Sequence, residues 1–187
     1  MHIAIRDMRY IKNTPMKKHK GMRPQDIVVL LKILSWPNDN WRLMDIAQAV
    51  KISQSEVSEA LNRNAFAGLL DRSKRHINKK SFYEFLVSGL KYVFPVQPGQ
   101  VVRGVKTAHS APPVSKYMAD SKDIYVWPSI YGNSRGQSIE PLYKTIPDAI
   151  QNDHNFYEYL ALVDTLRVGK TREVNIAREE LKKKLNV

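Results

Sequence analysis

Apolar residues recur at steps of three and four through much of the first half of the chain. Ile27, Leu30, Leu31 and Leu34 share one helical face and predict a helix over residues 25–36. Pro24 suits its first turn, because proline's fixed φ is already helical. Leu43, Ile46, Ala47 and Val50 repeat the spacing, and so do Val57, Ala60, Leu61 and Phe66, which predicts two more short helices. Between these two lies Lys51-Ile52-Ser53. Ser53 followed by Glu56 makes a capping box, so the third helix is predicted to start at about Gln54. Pro37-Asn38-Asp39-Asn40 separates the first helix from the second, with Asn40 the expected N-cap. Trp36 and Trp41 bracket this loop and are expected to pack at the helix corner.

A fourth helix is predicted over residues 81–94, with Phe82, Phe85, Leu86, Gly89, Leu90 and Val93 facing inward, until Pro95 and Pro98-Gly99 end it. From there the period shortens. Residues 100–105 and 123–127 read as strands, and 107–117, with its prolines, as a loop. The turn Tyr131-Gly132-Asn133-Ser134-Arg135-Gly136 reads as the tip of a strand pair. It is either a displaced wing carrying Arg135 or an ordinary hairpin. Ile150, Phe156, Tyr157, Leu160, Val163 and Leu166 predict a helix over 147–166, with Gly169 closing it. A last helix opens at about Thr171 and carries Ile176, Ala177, Leu181 and Leu185 as a stripe. Before all of these, Ile3, Ile5 and Met8 alternate as a short strand or packing arm, and Lys17-Lys18-His19-Lys20 follows as a basic run. The expected fold is mainly α with a small β component. It divides into a basic arm (1–23), a helical domain (24–95) and a strand and turn region with C-terminal helices (96–187).

The stretch from Trp41 to Leu70 resembles the helix-turn-helix of DNA-binding regulators. Its closing Asn64-Ala65-Phe66-Ala67-Gly68-Leu69-Leu70 is similar to the end of the recognition helix in winged-helix regulators of the MarR type. The resemblance covers about residues 24–75. It implies that Ala47 is the small residue over which the second helix crosses, and that Val57 plugs the gap between the two. The family often has Gly at the turn, where this chain has Lys51. The fold implied is a winged helix-turn-helix domain followed by a mixed β and helical region.

Charge points to a polyanion. The formal net charge is +12, and residues 1–95 hold 17 of the 30 Lys and Arg but 8 of the 18 Asp and Glu. The outward positions of the third helix are Gln54, Ser55, Ser58, Glu59, Asn62 and Arg63. Gln, Asn, Ser and Arg are side chains that read base edges in a major groove. Ser53, Gln54, Ser55, Ser58, Asn62 and Arg63 are therefore expected to read bases. Residues 72–80 hold five Lys or Arg and one His, and are expected to abbreviate the wing. Lys51, Arg72, Lys74, Arg75, Lys79 and Lys80 would hold phosphates. The plain alternative for 72–80 is a solvated charged loop.

These features lead to one functional expectation: a sequence-specific double-stranded DNA-binding transcriptional regulator, a prokaryotic repressor or autorepressor. It would work as a homodimer on an inverted repeat, with residues 147–186 supplying much of the contact. The competing reading is that those helices cover the chain's own core. A different functional class is a protein-interaction module, such as an antitoxin or assembly adaptor, that meets an acidic partner protein from a neighbouring gene. RNA binding would call for exposed aromatics at single-strand spacing, which the chain lacks.

Catalysis finds no support. The chain has no cysteine, which excludes a disulfide framework, a Cys zinc site and thiol chemistry. His2, His19, His76, His109 and His154 are scattered, with no metal-ligand spacing. There is no phosphate-cradling glycine loop and no nucleophile elbow. No enzyme activity, cofactor or metal is expected. No run has signal-peptide or membrane-span character, so a soluble cytoplasmic protein is expected.

Overall fold

The computed structural model describes residues 21–118 and 123–187. The expected arm at Ile3, Ile5 and Met8 and the basic run Lys17-Lys18-His19-Lys20 lie outside the described residues.

Helix α1 (Pro24–Ser35) forms where predicted, with Pro24 in its first turn and the Asp26 carboxylate accepting the Arg23 amide at 2.8 Å. Residues 27–31 are all fully buried. A helix that is apolar on every side must be covered on every side. Helices α2 (Leu43–Val50) and α3 (Gln54–Phe66) cover one flank, and α7 (His154–Val168) covers another. α7 is buried throughout residues 159–166, and α8 (Thr171–Leu185) lays Ala177, Leu181 and Leu185 against it. One apolar core therefore runs from α1 through α8, with no break at residue 95. Phe156, Leu160 and Val163, expected at a dimer contact, lie inside that core. Tyr157 donates its hydroxyl to the Lys106 carbonyl at 2.7 Å. Those residues pack within the chain, so a homodimer contact through this stretch would have to use its outward residues.

Several local expectations shift for identifiable reasons. Leu43 is 38% exposed, and Trp41, at 6%, fills the inner position instead. The N-cap of α2 is Arg42, not Asn40, and Asp45 in the first turn accepts the Arg42 amide at 2.9 Å. Phe66 faces outward. The helix predicted over 81–94 breaks at Gly89 into α4 (Lys79–Ser88) and α5 (Leu90–Val93). The helix predicted over 147–166 also divides. α6 (Ile146–Ala149) is one turn, and α7 starts where Asp153 accepts the Phe156 amide at 2.9 Å. The same Asp153 carboxylate pairs with Lys32, a buried lysine of α1.

The strands close on themselves. β1 (Val101–Lys106) pairs antiparallel with both β2 (Tyr125–Pro128) and β3 (Ser134–Ser138). β2 and β3 meet in parallel through Tyr125↔Gln137 and Val126↔Ser138, which completes a three-stranded barrel. So tight a closure needs bare backbone. A Cβ on Gly104 would overlap the Trp127 carbonyl, and one on Gly136 would overlap that of Ile124. The strands flanking the 131–136 turn run parallel, so the turn is not the tip of an ordinary hairpin. Arg135 lies within β3 opposite Arg103, not at a tip. Buried Asp164 of α7 ties the barrel to the helices. It accepts Trp127 Nε1 at 2.6 Å and Thr107 Oγ1 at 2.9 Å, and pairs with Arg167 at 2.7 Å. Burial pushes its carboxyl upward, and Arg167 pulls it back.

The architecture is α+β, with eight α-helices and a small three-stranded sheet among the described residues. No helix among them is long and apolar enough to cross a membrane.

Candidate nucleic-acid interface

α3 begins as its sequence dictates. Ser53 Oγ accepts the Glu56 amide at 3.1 Å, and Glu56 returns a carboxylate oxygen to the Ser53 amide at 3.4 Å. Ser53 is thereby engaged in capping. Val57 and Ala60 are fully buried and Leu61 nearly so, fixing which face turns inward. Gln54, Ser55, Glu59 and Asn62 are exposed and Ser58 is half-buried, together forming the outward face.

Arg63 does not belong to that face. Its Nε and Nη2 donate to the two oxygens of Asp26 at 2.8 and 2.6 Å, and its side chain is 10% exposed against 0% for Asp26. The Asp26 carboxylate raises the guanidinium further above its already high value. The expected base reader is instead a bidentate clamp between α3 and α1. Buried Asn64 reinforces it by donating to the Asp26 carbonyl at 3.0 Å.

Lys51 sits where the turn demands a left-handed residue, with φ 58° and ψ 49°. This conformation is costly for any residue with a Cβ. Lys51→Gly is expected to raise stability by about 0.5–1 kcal/mol, net of glycine's greater unfolded-state entropy. Denaturant midpoints of the two proteins check it, and a loss of stability would mean that the lysine side chain makes a compensating contact.

After α3 the chain turns back on itself. Leu70 and Ile77 form a single antiparallel bridge, flanked by hydrogen bonds from Asp71 N to the His76 carbonyl and from Asn78 N to the Leu69 carbonyl, both 2.9 Å. Asp71 organises the turn. Its carboxylate accepts the Ser73 hydroxyl at 2.6 Å, the Arg75 amide at 2.9 Å and the His76 amide at 3.1 Å. These donors, Ser73 first, hold it well below the usual carboxylate range. The sequence signal was an Asp opening a polar run, since Asp carboxylates accept nearby amides and fix turns.

The turn presents its cations unequally. Arg72 is exposed, and Lys74 reaches across to Asn62, with Nζ 2.5 Å from Oδ1. Arg75 is exposed but held by a neighbour: it donates to the Trp41 carbonyl at 2.8 Å and stacks over the Trp41 ring at 4.5 Å. Lys79 and Lys80 are exposed in the first turn of α4, the helix end that disfavours cations. A bound anion there would reverse that penalty. Gln54, Ser55, Ser58, Asn62, Arg72, Lys74, Lys79 and Lys80 thus belong to α3 and the segment directly after it, with Lys51 exposed at α3's start. No family model, no curated protein and no solved structure matches the chain.

Proposed function

We propose that this protein is a sequence-specific duplex-DNA-binding transcriptional regulator of the winged helix-turn-helix type. α3 enters the major groove, and the 70–77 turn serves as a much shortened wing. The observation that carries this reading is the Lys74–Asn62 hydrogen bond, which puts the cationic turn beside the polar outward face of α3. A helix face rich in Gln, Ser and Asn, with lysines at its edge, suits base edges flanked by phosphates. Gln54, Ser55, Ser58 and Asn62 read bases, and Lys51, Arg72, Lys74, Lys79 and Lys80 hold phosphates. Arg63 acts from behind by fixing α3 on α1. A homodimer on an inverted repeat would use a surface other than the buried α7 face.

The test is titration against duplexes selected from a random pool, followed by anisotropy over a range of salt. Asn62→Ala is expected to cost roughly 1–3 kcal/mol on the selected site and far less on random duplex. Arg72→Ala with Lys79→Ala is expected to weaken all duplexes alike and to flatten the log–log salt slope by about two units. An Asn62→Ala loss of equal size on every sequence would remove α3 from base reading. Failure of the wild type to bind any duplex at low salt would favour an acidic protein partner instead.

A further inference from the structure

The barrel holds two arginines opposite each other. Arg103 on β1 and Arg135 on β3 are direct partners in an antiparallel pair, so their side chains leave the sheet on the same face. Both are exposed, and neither has an acidic partner among the described residues. Like charges facing each other across a strand pair destabilise it. An anion between them would turn that repulsion into binding. Arg103 is already oriented, because its Nε donates to the Gly132 carbonyl at 2.5 Å. That bond uses one of five N–H groups.

An open cleft of about 680 Å³ continues from Arg103. Lys144 lines it, with Ile130, Tyr131 and one opposing carboxylate, Asp148. Ile130 is 79% exposed and Tyr131 65%, so an apolar loop tip stands in water beside Arg103 and Lys144. This surface lies beside α3. Thr145 donates its hydroxyl to the Val50 carbonyl at 2.7 Å, and Val50 leads through Lys51 into α3. Lys144 therefore flanks the start of α3, whereas Lys74 bonds to Asn62 in its last turns. The 13 residues of α3 span about 20 Å, longer than the roughly 12 Å width of a major groove. Cations at its two ends would meet the backbones on opposite sides of that groove.

Resting on the DNA reading above, we propose that Arg103, Arg135 and Lys144 form a second phosphate-binding surface. It grips the duplex backbone beyond the start of α3, with Ile130 and Tyr131 entering the adjacent minor groove. Charge complementarity selects the occupant, and an apolar wedge between phosphate-binding cations suits a minor groove.

The test compares wild type with the triple variant Arg103→Gln, Arg135→Gln, Lys144→Gln. Two duplexes are used, one running well past both ends of the selected site and one cut off at the edge that α3 covers. On the long duplex the triple variant is expected to flatten the salt slope by about two to three units and to bind about 10- to 100-fold more weakly. Its hydroxyl-radical footprint should shorten on one side of each half-site, the side where these residues sit. On the short duplex the two proteins should bind alike. The melting temperature of the variant should hold or rise, since a like-charge pair is relieved. Ile130→Ser with Tyr131→Ser should lose minor-groove protection while keeping the slope. A triple variant matching wild type in slope and footprint on the long duplex would overturn this surface and leave the α3 reading intact. Tighter wild-type binding to a single strand than to the long duplex, lost in the triple variant, would also overturn it, because the occupant would then be a single strand. A wild type that binds no duplex would remove both readings together.

Discussion

Deleting residues 147–187 is expected to unfold the rest of the chain. The deletion removes Phe156, Tyr159, Leu160, Leu162, Val163 and Leu166 of α7 with Ala177, Leu181 and Leu185 of α8, all of them in the core. Complete burial of a large apolar side chain stabilises by about 1.5–3 kcal/mol, so the loss is on the order of 10 kcal/mol before any polar contact is counted. That equals or exceeds the whole net stability of a typical domain, about 5–15 kcal/mol. The polar losses add to it. Lys32, 4% exposed on α1, loses Asp153, and the Ser35 carbonyl loses the Asn155 amide at 2.7 Å. An unpaired buried lysine is strongly disfavoured. On the barrel side, Trp127 Nε1 and Thr107 Oγ1 lose Asp164. Circular dichroism and one-dimensional proton spectra of residues 1–146 check this. A soluble truncation with dispersed methyl signals and a cooperative melt would show that residues 1–146 fold independently.

The same helices show what local pattern reveals and what it conceals. The helical period along Ile27, Leu30 and Leu31, and the Ser53–Glu56 box, are short-range signals, and α1, α2 and α3 lie close to where they point. The tightness of the 70–77 turn was also legible, because so polar a run leaves little for a long hairpin. The partners of a nearly all-apolar segment were not legible. Residues 159–166 look adhesive in sequence, and only the packing of α1 on α7 decides that they adhere within the chain. The barrel was hidden for a related reason. Strand content at 101–106 and 125–128 says nothing of register, and the parallel β2–β3 contact joins residues whose connecting turn suggests a hairpin. Arg63 was misplaced because a long side chain at the edge of an amphipathic face looks outward on a helical wheel. Its partner, Asp26, is 37 residues earlier, beyond any local period.

Arg63→Ala is expected to destabilise the fold by about 3–5 kcal/mol, the usual cost of removing one partner of a buried ion pair. The magnitude follows from what is left behind. Asp26 is fully buried, and its carboxylate would keep only the Arg23 amide as a donor where it now has three. For a chain of this size that corresponds to a melting shift on the order of 10 °C. Arg63→Lys keeps the charge but not the two-pronged geometry, and should fall between wild type and alanine. Asp26→Leu with Arg63→Met buries no charge at all. It should recover much of the loss, because a well-packed apolar pair often matches a buried ion pair. DNA binding separates this role from base reading. Measured well below its melting temperature, Arg63→Ala should keep the site preference of wild type, because the guanidinium touches Asp26 and not the groove. An Arg63→Ala protein that melts with wild type yet loses discrimination between selected and random duplex would return Arg63 to the reading face, and would require Asp26 to release it on binding.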